Sequence, residues 1–410
     1  MGQFKERIII SIVGNTNVGK STLFNLISGQ KDKSIVDNTA GTTADSVKTL
    51  MEIHQFGAVK LIDTAGINEK GILGNKKKNK TIEVIDNSDL ILFVIKDGEK
   101  NLTNDELETL NYIKLKNKQF FIIYNNFYNC DHIELIKAKS LVINCNDFTK
   151  QLVITNFIIN NFKKCNNNIE FFPNINLYNK YVMLIIPLDE ESPESRLLRP
   201  QNMAIEKLLR IGAIPILYKP NLKELRNKNI NEINNFNKIL KDLKDIAMII
   251  IDSQAFDCIS DYIPNNVIFT SFSILMTNFM SNGNIVNFVN GVKELDNLQD
   301  NDKILIVEAC KHDRKCNDIA TIQLPKAITK YSNKNISFDF NFGETFLSID
   351  ELKKYKIIVM CGGCMIDKQE YNTRLNKIQN LNIKYTNYGM VFSYIKNKQL
   401  LNRCVEIFYL

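Results

Sequence analysis

The stretch Gly14-Asn15-Thr16-Asn17-Val18-Gly19-Lys20-Ser21 constrains this chain more than any other. An apolar run, Ile8 to Val13, precedes it, and a helical pattern of mixed polarity opens at Lys20. Strand, glycine loop and helix in that order are the setting in which a phosphate-binding loop works. Gly14 and Gly19 let the backbone curl so that its N–H groups face phosphate oxygens. Lys20 can reach the β- and γ-phosphates of a nucleotide, and the Ser21 hydroxyl suits Mg2+. The helix start adds its positive dipole end. The expected nucleotide contacts are therefore Gly14, Asn15, Asn17, Val18, Gly19, Lys20, Ser21 and Thr22.

A chance glycine turn would not be followed by the pieces that come next. The run "VKLIDTAG" at 59–66 is a second apolar strand ending in Asp63. An acid there can hold magnesium through water, and the Gly66 N–H can meet the γ-phosphate. Between the two motifs, "AGTTAD" at 40–45 offers Thr43, or else Thr42, to complete the metal shell. Ser21, Thr43 and Asp63 are the expected Mg2+ ligands, and Lys20, Thr43, Asp63 and Gly66 the catalytic set. Together these motifs resemble the translation-factor-like GTPases, in the branch of tRNA-modifying and ribosome-assembly enzymes. That branch lacks the water-positioning glutamine after Asp-x-x-Gly, and here the position is Ile67. The resemblance implies a K+ ion as an extra positive charge, held in part by Asn17. It implies GTP as substrate and slow hydrolysis.

The base-recognition motif departs from that family. The run "FFIIYNNFYNC" at 120–130 aligns Asn125 with the expected asparagine but puts Tyr128 or, one step on, Asn129 where an aspartate should pair with guanine. The later Ser-Ala motif is replaced by Asn144-Cys145. GTP remains the expected nucleotide, bound weakly and with guanine selection in doubt.

The chain's 410 residues call for two or three domains. A composition of 44% hydrophobic and 24% charged residues reads as a globular protein. The net charge of +7 is a mild excess, and with no Trp and no basic run interleaved with aromatics it does not point to nucleic acid. The cluster Lys76-Lys77-Lys78 reads as a solvated face. No apolar run reaches membrane-spanning length; "DIAMIIID" at 245–252 has the length of a buried strand. No signal peptide precedes the first strand, and Glu6 breaks the myristoylation pattern. Nine scattered cysteines are not a disulfide framework. The expectation is a cytoplasmic protein without a membrane contact.

One cysteine pair stands apart: Cys361 and Cys364, separated by two glycines and placed just past the apolar run ending at Met360. Cys310 and His312 also follow an apolar run, "KILIVEAC". Structural zinc held by Cys310, His312, Cys361 and Cys364 is one reading. A redox dithiol is another, and an iron–sulfur cluster held by three cysteines a third. The residues alone leave these open.

The middle of the chain decides among them. Pro187-x-Asp189, Pro193, Arg196-Leu197, Pro200-Gln201, "DSQAF" (252–256), "TSFSILM" (270–276) and "NYGMVFS" (387–393) resemble the HydF family of FeFe-hydrogenase maturation GTPases over nearly the whole chain. Ser195 stands where that family has Gly, and Met360 where it has a His before Cys-x-x-Cys. The resemblance implies a 4Fe-4S cluster on Cys310, Cys361 and Cys364. His312 or an exchangeable ligand would take the fourth position. Cys130, Cys145, Cys165, Cys258 and Cys404 are left as packing residues or plain thiols, and Cys316 is not called on.

The fold expected is α/β in three domains. A P-loop GTPase domain (1–168) has a mostly parallel sheet with helices on both faces. A small α/β dimerisation domain (175–265) and an α/β cluster-binding domain (266–410) follow. The implied activity is that of a scaffold or carrier, which receives a diiron precursor from two radical-enzyme maturases and delivers it to the immature FeFe-hydrogenase. The implied assembly is a homodimer, or a dimer of dimers. GTP would act through a switch segment at 66–80. Two other classes compete: a zinc-stabilised RNA- or ribosome-assembly GTPase, and a cluster-binding protein whose nucleotide site is decaying.

Overall fold

The computed structural model describes residues 7–29, 47–68, 72–127, 131–163, 169–188, 197–243, 245–309, 318–343 and 346–409. The chain divides into two compact units, Met1–Asn166 and Asn167–Leu410. Among the described residues, no helix is long and apolar enough to cross a membrane.

The first unit runs β1 (Ile8–Val13), α1 (Lys20–Ser28), β2 (Val47–Ile53), β3 (Gly57–Asp63), α2 (Ile72–Asp86), β4 (Leu90–Lys96), α3 (Asn104–Leu115), β5 (Gln119–Asn125), β6 (Ser140–Ile143) and α4 (Gln151–Asn161). Its six strands form one sheet in the order β2-β3-β1-β4-β5-β6. Only β2 runs antiparallel to its neighbour among these described strands. β4 shows why its sequence is continuously apolar. Leu90, Leu92 and Val94 enter one hydrophobic cluster, and Ile91, Phe93 and Ile95 enter another on the opposite face. A strand buried on both faces has no polar side to alternate. α3 is stopped at its start by a capping box. The Thr103 hydroxyl accepts from the Glu106 N–H, and the Glu106 carboxylate accepts from the Thr103 N–H.

The second unit holds two parallel four-stranded sheets. The first is built from β7 (Tyr181–Ile185), α5 (Arg199–Arg210), β8 (Ile214–Tyr218), α6 (Leu222–Arg226), α7 (Ile230–Asp242), β9 (Ile246–Ile251), α8 (Phe256–Ile259), β10 (Ile268–Ser271) and α9 (Phe272–Met280). Its strand order is β10-β9-β7-β8. β10, on the far side of the 265/266 boundary expected from the sequence, pairs with β9 from Ile268 to Ser271. The second sheet comprises α10 (Ile285–Val292), β11 (Lys303–Glu308), α11 (Leu324–Ser332), β12 (Ser337–Phe342), α12 (Ile349–Leu352), β13 (Ile357–Met360), α13 (Lys368–Asn380), β14 (Lys384–Asn387), α14 (Tyr388–Lys396) and α15 (Lys398–Val405). Its order is β12-β11-β13-β14. Both sheets share one continuous hydrophobic core, from Phe171 through Val182, Phe269 and Met276 to Ile306, Val359 and Val391. Parallel strands of this kind send every connecting loop out at their carboxyl ends, where ligands of open α/β sheets bind.

α10 lies directly against β14. Phe288 meets the Tyr385 ring edge-on at 4.8 Å. Gly291 faces the strand's backbone so closely that a Cβ there would overlap the Tyr385 carbonyl. Helix propensity alone would make Gly291→Ala stabilising by about 1 kcal/mol. The close approach predicts the opposite sign, a loss of about 1–3 kcal/mol, read from the urea midpoint of the second unit's unfolding.

Candidate functional site

The nucleotide loop sits at the carboxyl end of β1. Asn17 adopts φ 63° and Gly19 φ 98°, so the backbone turns back on itself before α1. A Cβ on Gly14 would come within 2.5 Å of the Val94 carbonyl on β4. Lys20 is 8% exposed, and its Nζ donates to the Asn15 carbonyl at 2.5 Å. Asn15 is itself buried, and its Nδ2 donates to Thr103 Oγ1 at 3.0 Å, tying the loop to the start of α3. Asn17 and Ser21 face solvent, and Thr22 is half-buried.

Ser21 and Asp63 come together as the motif requires: Ser21 Oγ donates to Asp63 Oδ2 at 2.5 Å. The other carboxylate oxygen, Oδ1, is buried without a hydrogen-bond partner. Burial holds the Asp63 carboxyl above the ordinary carboxylate range, against the Ser21 hydrogen bond and the Lys20 charge, which pull it down. A hard divalent cation bound through oxygen would satisfy such a carboxylate, so the pair fits Mg2+. Thr43, the third expected ligand, lies outside the described residues. The strand then turns over the phosphate loop. The Ile67 N–H donates to the Gly14 carbonyl at 3.3 Å, and Asn68 Oδ1 accepts from the Thr16 N–H at 2.9 Å. Gly66 packs so tightly against Thr16 that a side chain there would overlap it. Ile67 is 3% exposed and belongs to the core.

Asn125, at the carboxyl end of β5, is fully buried. Its Nδ2 donates to the Val18 carbonyl at 2.9 Å, and its Oδ1 accepts from the Cys145 N–H at 3.0 Å. One amide therefore ties the nucleotide loop to the Asn144-Cys145 turn. Asn126 donates to Asp97 Oδ2 at 3.1 Å, and Asp97 Oδ1 lies 2.9 Å from His132 Nδ1. The Asn146 N–H is held by Asn144 Oδ1 at 3.0 Å. Tyr128 and Asn129 lie outside the described residues.

The cysteine loop follows β13. Met360 is 2% exposed and packs into the core, so its thioether faces hydrocarbon. Cys361 continues the ladder, its N–H donating to the Val307 carbonyl at 2.9 Å. Its Sγ accepts two backbone N–H groups, from Ala309 at 3.3 Å and Gly363 at 3.4 Å. Gly363 adopts φ 70°, and a Cβ there would lie 2.6 Å from the Tyr371 ring, so glycine is required twice over. Gly362 faces Met276 on α9. Burial pushes the Cys361 thiol up to about 12, with the Cys364 charge adding to the effect and the two N–H donors opposing it.

Two N–H groups aimed at one sulfur suit a metal-bound thiolate, whose charge they stabilise. This half of the donor set fits an iron–sulfur cluster. Cys310 and His312, and with them Cys316, lie outside the described residues. Among the described residues, no three or more His, Cys, Asp or Glu side chains gather as a metal site. Cys145, Cys258 and Cys404 are buried, and burial pushes the thiols of Cys145 and Cys258 up to about 12. Asn387, from the "NYGMVFS" run, is fully buried. Its Nδ2 donates to Thr277 Oγ1 at 2.8 Å and reaches the Met360 carbonyl at 3.4 Å, so it braces the strand that presents Cys361.

Residues 174–280 match the hydrogen maturase F dimerization domain, and residues 286–407 the hydrogen maturase F tetramerization domain. The two matches together span more than half of the chain, in order. The chain belongs to the hydrogen maturase F family. Residues 9–126 match the 50S ribosome-binding GTPase family, so this hydrogen maturase F chain opens with a GTPase domain. GTPase Der of Thermosipho melanesiensis is 37% identical over 142 residues, 34% of this chain and 30% of that protein. The tRNA modification GTPase MnmE of Mesoplasma florum is 36% identical over 151 residues, 37% of this chain and 32% of that protein. The chain thus spans less than a third of the length of these relatives. Among solved structures, Aquifex aeolicus Era bound to GDP and aluminium fluoride overlaps 39% of this chain and 58% of that one, at 26% identity and a TM-score of 0.33.

Asp63 gives a pH-dependent prediction. Its raised folded-state pKa means that its contribution to stability falls as pH rises from the unfolded carboxylate value through the folded one. Without divalent metal, Asp63→Asn should therefore raise the thermal midpoint of the first unit at neutral pH. The gain should vanish as the pH falls into the carboxylate range, and saturating Mg2+ should abolish it.

Proposed function

We propose that this hydrogen maturase F chain is a scaffold GTPase that also holds a 4Fe-4S cluster. It would receive a diiron precursor from two radical-enzyme maturases and deliver it to the immature FeFe-hydrogenase in the cytoplasm. The observation that carries this reading is the Cys361 sulfur with its two backbone N–H donors, inside the tetramerization-domain match.

On the nucleotide side, the loop N–H groups between Gly14 and Ser21 cradle the phosphates, and Lys20 exchanges its bond to the Asn15 carbonyl for phosphate oxygens. Ser21, Thr43 and Asp63 are the ligands assigned to Mg2+, which supplies charge neutralisation when bound. The Gly66 N–H donates to the γ-phosphate. Ile67 is turned into the core and offers no polar atom to the attacking water. That deficit supports K+ at Asn17, which is solvent-facing and already in the turned-back conformation. No carboxylate stands at Tyr128 or Asn129, so the triphosphate rather than the base carries most of the binding.

On the cluster side, Cys361, Cys364 and Cys310 are the assigned ligands, with the fourth position taken by His312 or left exchangeable. The cluster, when bound, supplies an iron whose fourth ligand can be traded for cargo. The Ala309 and Gly363 N–H groups orient and stabilise the Cys361 thiolate. Self-association rests on the open edge of β8, where Ile214 and Leu217 are 42% and 56% exposed. The family's dimerization and tetramerization domain descriptions support a homodimer and a dimer of dimers.

Anaerobic reconstitution with iron and sulfide tests the cluster reading. The full chain should hold about four irons and give a paramagnetic signal on reduction. Cys361→Ala and Cys364→Ala should each lose most of that iron. Stoichiometric zinc in a colourless protein would replace this reading with a structural zinc site. Hydrolysis of Mg-GTP should be faster in potassium than in sodium buffer; equal rates would remove Asn17 from the mechanism.

A further inference from the structure

The Cys361–Asp367 loop is held on three sides by elements already described. Its start is held by the Val307 carbonyl of β11 and by the N–H of Ala309, the residue after that strand. Its glycines are held by Met276 of α9 and Tyr371 of α13. Its second cysteine, Cys364, sits inside the turn closed by the Ile366 N–H on the Gly363 carbonyl at 3.3 Å. There a side chain from the other sheet of the same unit reaches in. Arg199, the first residue of α5, donates from Nη1 to the Ile366 carbonyl at 3.0 Å and to the Cys364 carbonyl at 3.5 Å. These partners are 167 and 165 residues away in sequence. Arg199 lies within the dimerization-domain match and the loop within the tetramerization-domain match.

We infer that Arg199 is a positioning residue for the cysteine pair: it fixes the Cys364 side of the loop and sets a permanent positive charge at the Cys364 and Ile366 carbonyls. The inference rests on the cluster reading above for its electrostatic half and on the apoprotein's geometry alone for the other. A guanidinium is planar and always charged, so one group can hold two carbonyls and still contribute its field. Three thiolates and a cluster carry net negative charge, and a fixed cation nearby favours the reduced form. The same bonds tie α5, which leads into the open edge strand β8, to the loop that carries the cysteines. A partner that shifts α5 therefore acts on Cys364 without touching it.

The test uses the full chain with Arg199→Ala, Arg199→Gln and Arg199→Lys. In the reduced, metal-free protein, iodoacetamide labelling is followed peptide by peptide. Arg199→Ala and Arg199→Gln should label Cys364 about tenfold faster than the native chain once each rate is divided by that variant's own thiolate fraction, because two hydrogen bonds to the loop are lost. Cys361, held by β11, should change much less. In the reconstituted protein both variants should lose iron to a chelator several-fold faster and show a lower reduction potential. Arg199→Lys should keep the potential near the native value, because the charge stays. Unchanged Cys364 labelling in all three variants, with native thermal midpoints, would overturn the positioning role. Faster labelling with an unmoved potential would overturn the electrostatic one. If Cys361→Ala holds as much iron as the native chain, the cluster reading fails, and the labelling result still decides the role of Arg199 in the loop.

Discussion

Backbone N–H groups that run out of ladder partners at the carboxyl ends of parallel strands are what both loops are built from. A parallel strand bonds its neighbours evenly along its length, and the chain beyond its last pair must find new acceptors. After β1 the unpaired N–H groups curl into the Gly14–Ser21 loop, a concavity suited to phosphate oxygens. After β11 and β13 the N–H groups of Ala309 and Gly363 converge on the Cys361 sulfur. Both loops depend on glycine where a side chain would meet a neighbour: Gly14 against Val94, and Gly363 against Tyr371.

The first site also keeps charged groups out of water: Lys20 and Asp63 are each 8% exposed. At the second, Cys361 is half-buried, and burial disfavours ionisation of its thiol. Desolvated groups of this kind cost stability unless something compensates for them. In the described structure one Asp63 oxygen has no hydrogen-bond partner. Nucleotide and magnesium would complete the first site.

The sequence made the local parts legible. Strand, loop and helix around Gly14–Ser21 appear where the motif placed them, and Ser21 meets Asp63 across a separation of 42 residues. Met360, which ends an apolar run and stands where the resembled family has a histidine, is buried among hydrocarbon. What escaped the sequence is long-range and polar. Nothing in the run of residues couples Asn15 to Thr103, Asn126 to Asp97, or Arg199 to the Cys364 carbonyl. Hydrophobic periodicity reports which face of an element is buried, not which carbonyl of a distant loop a side chain will find. Asn125 is the instructive middle case. The sequence aligned it with the base-recognition asparagine, and the structure adds that its carboxamide joins two loops.

Hydrogen exchange of the full chain, mapped by peptide, tests the common origin of the two sites most directly. It compares the apoprotein, the protein with Mg-GTP and the protein reconstituted with iron and sulfide. The account predicts that nucleotide slows exchange over 14–22 and that reconstitution slows it over 361–366, because in each case the bound group locks the loop's own N–H groups. Reconstituted protein that retains its iron yet exchanges over 361–366 as fast as the apoprotein would contradict it.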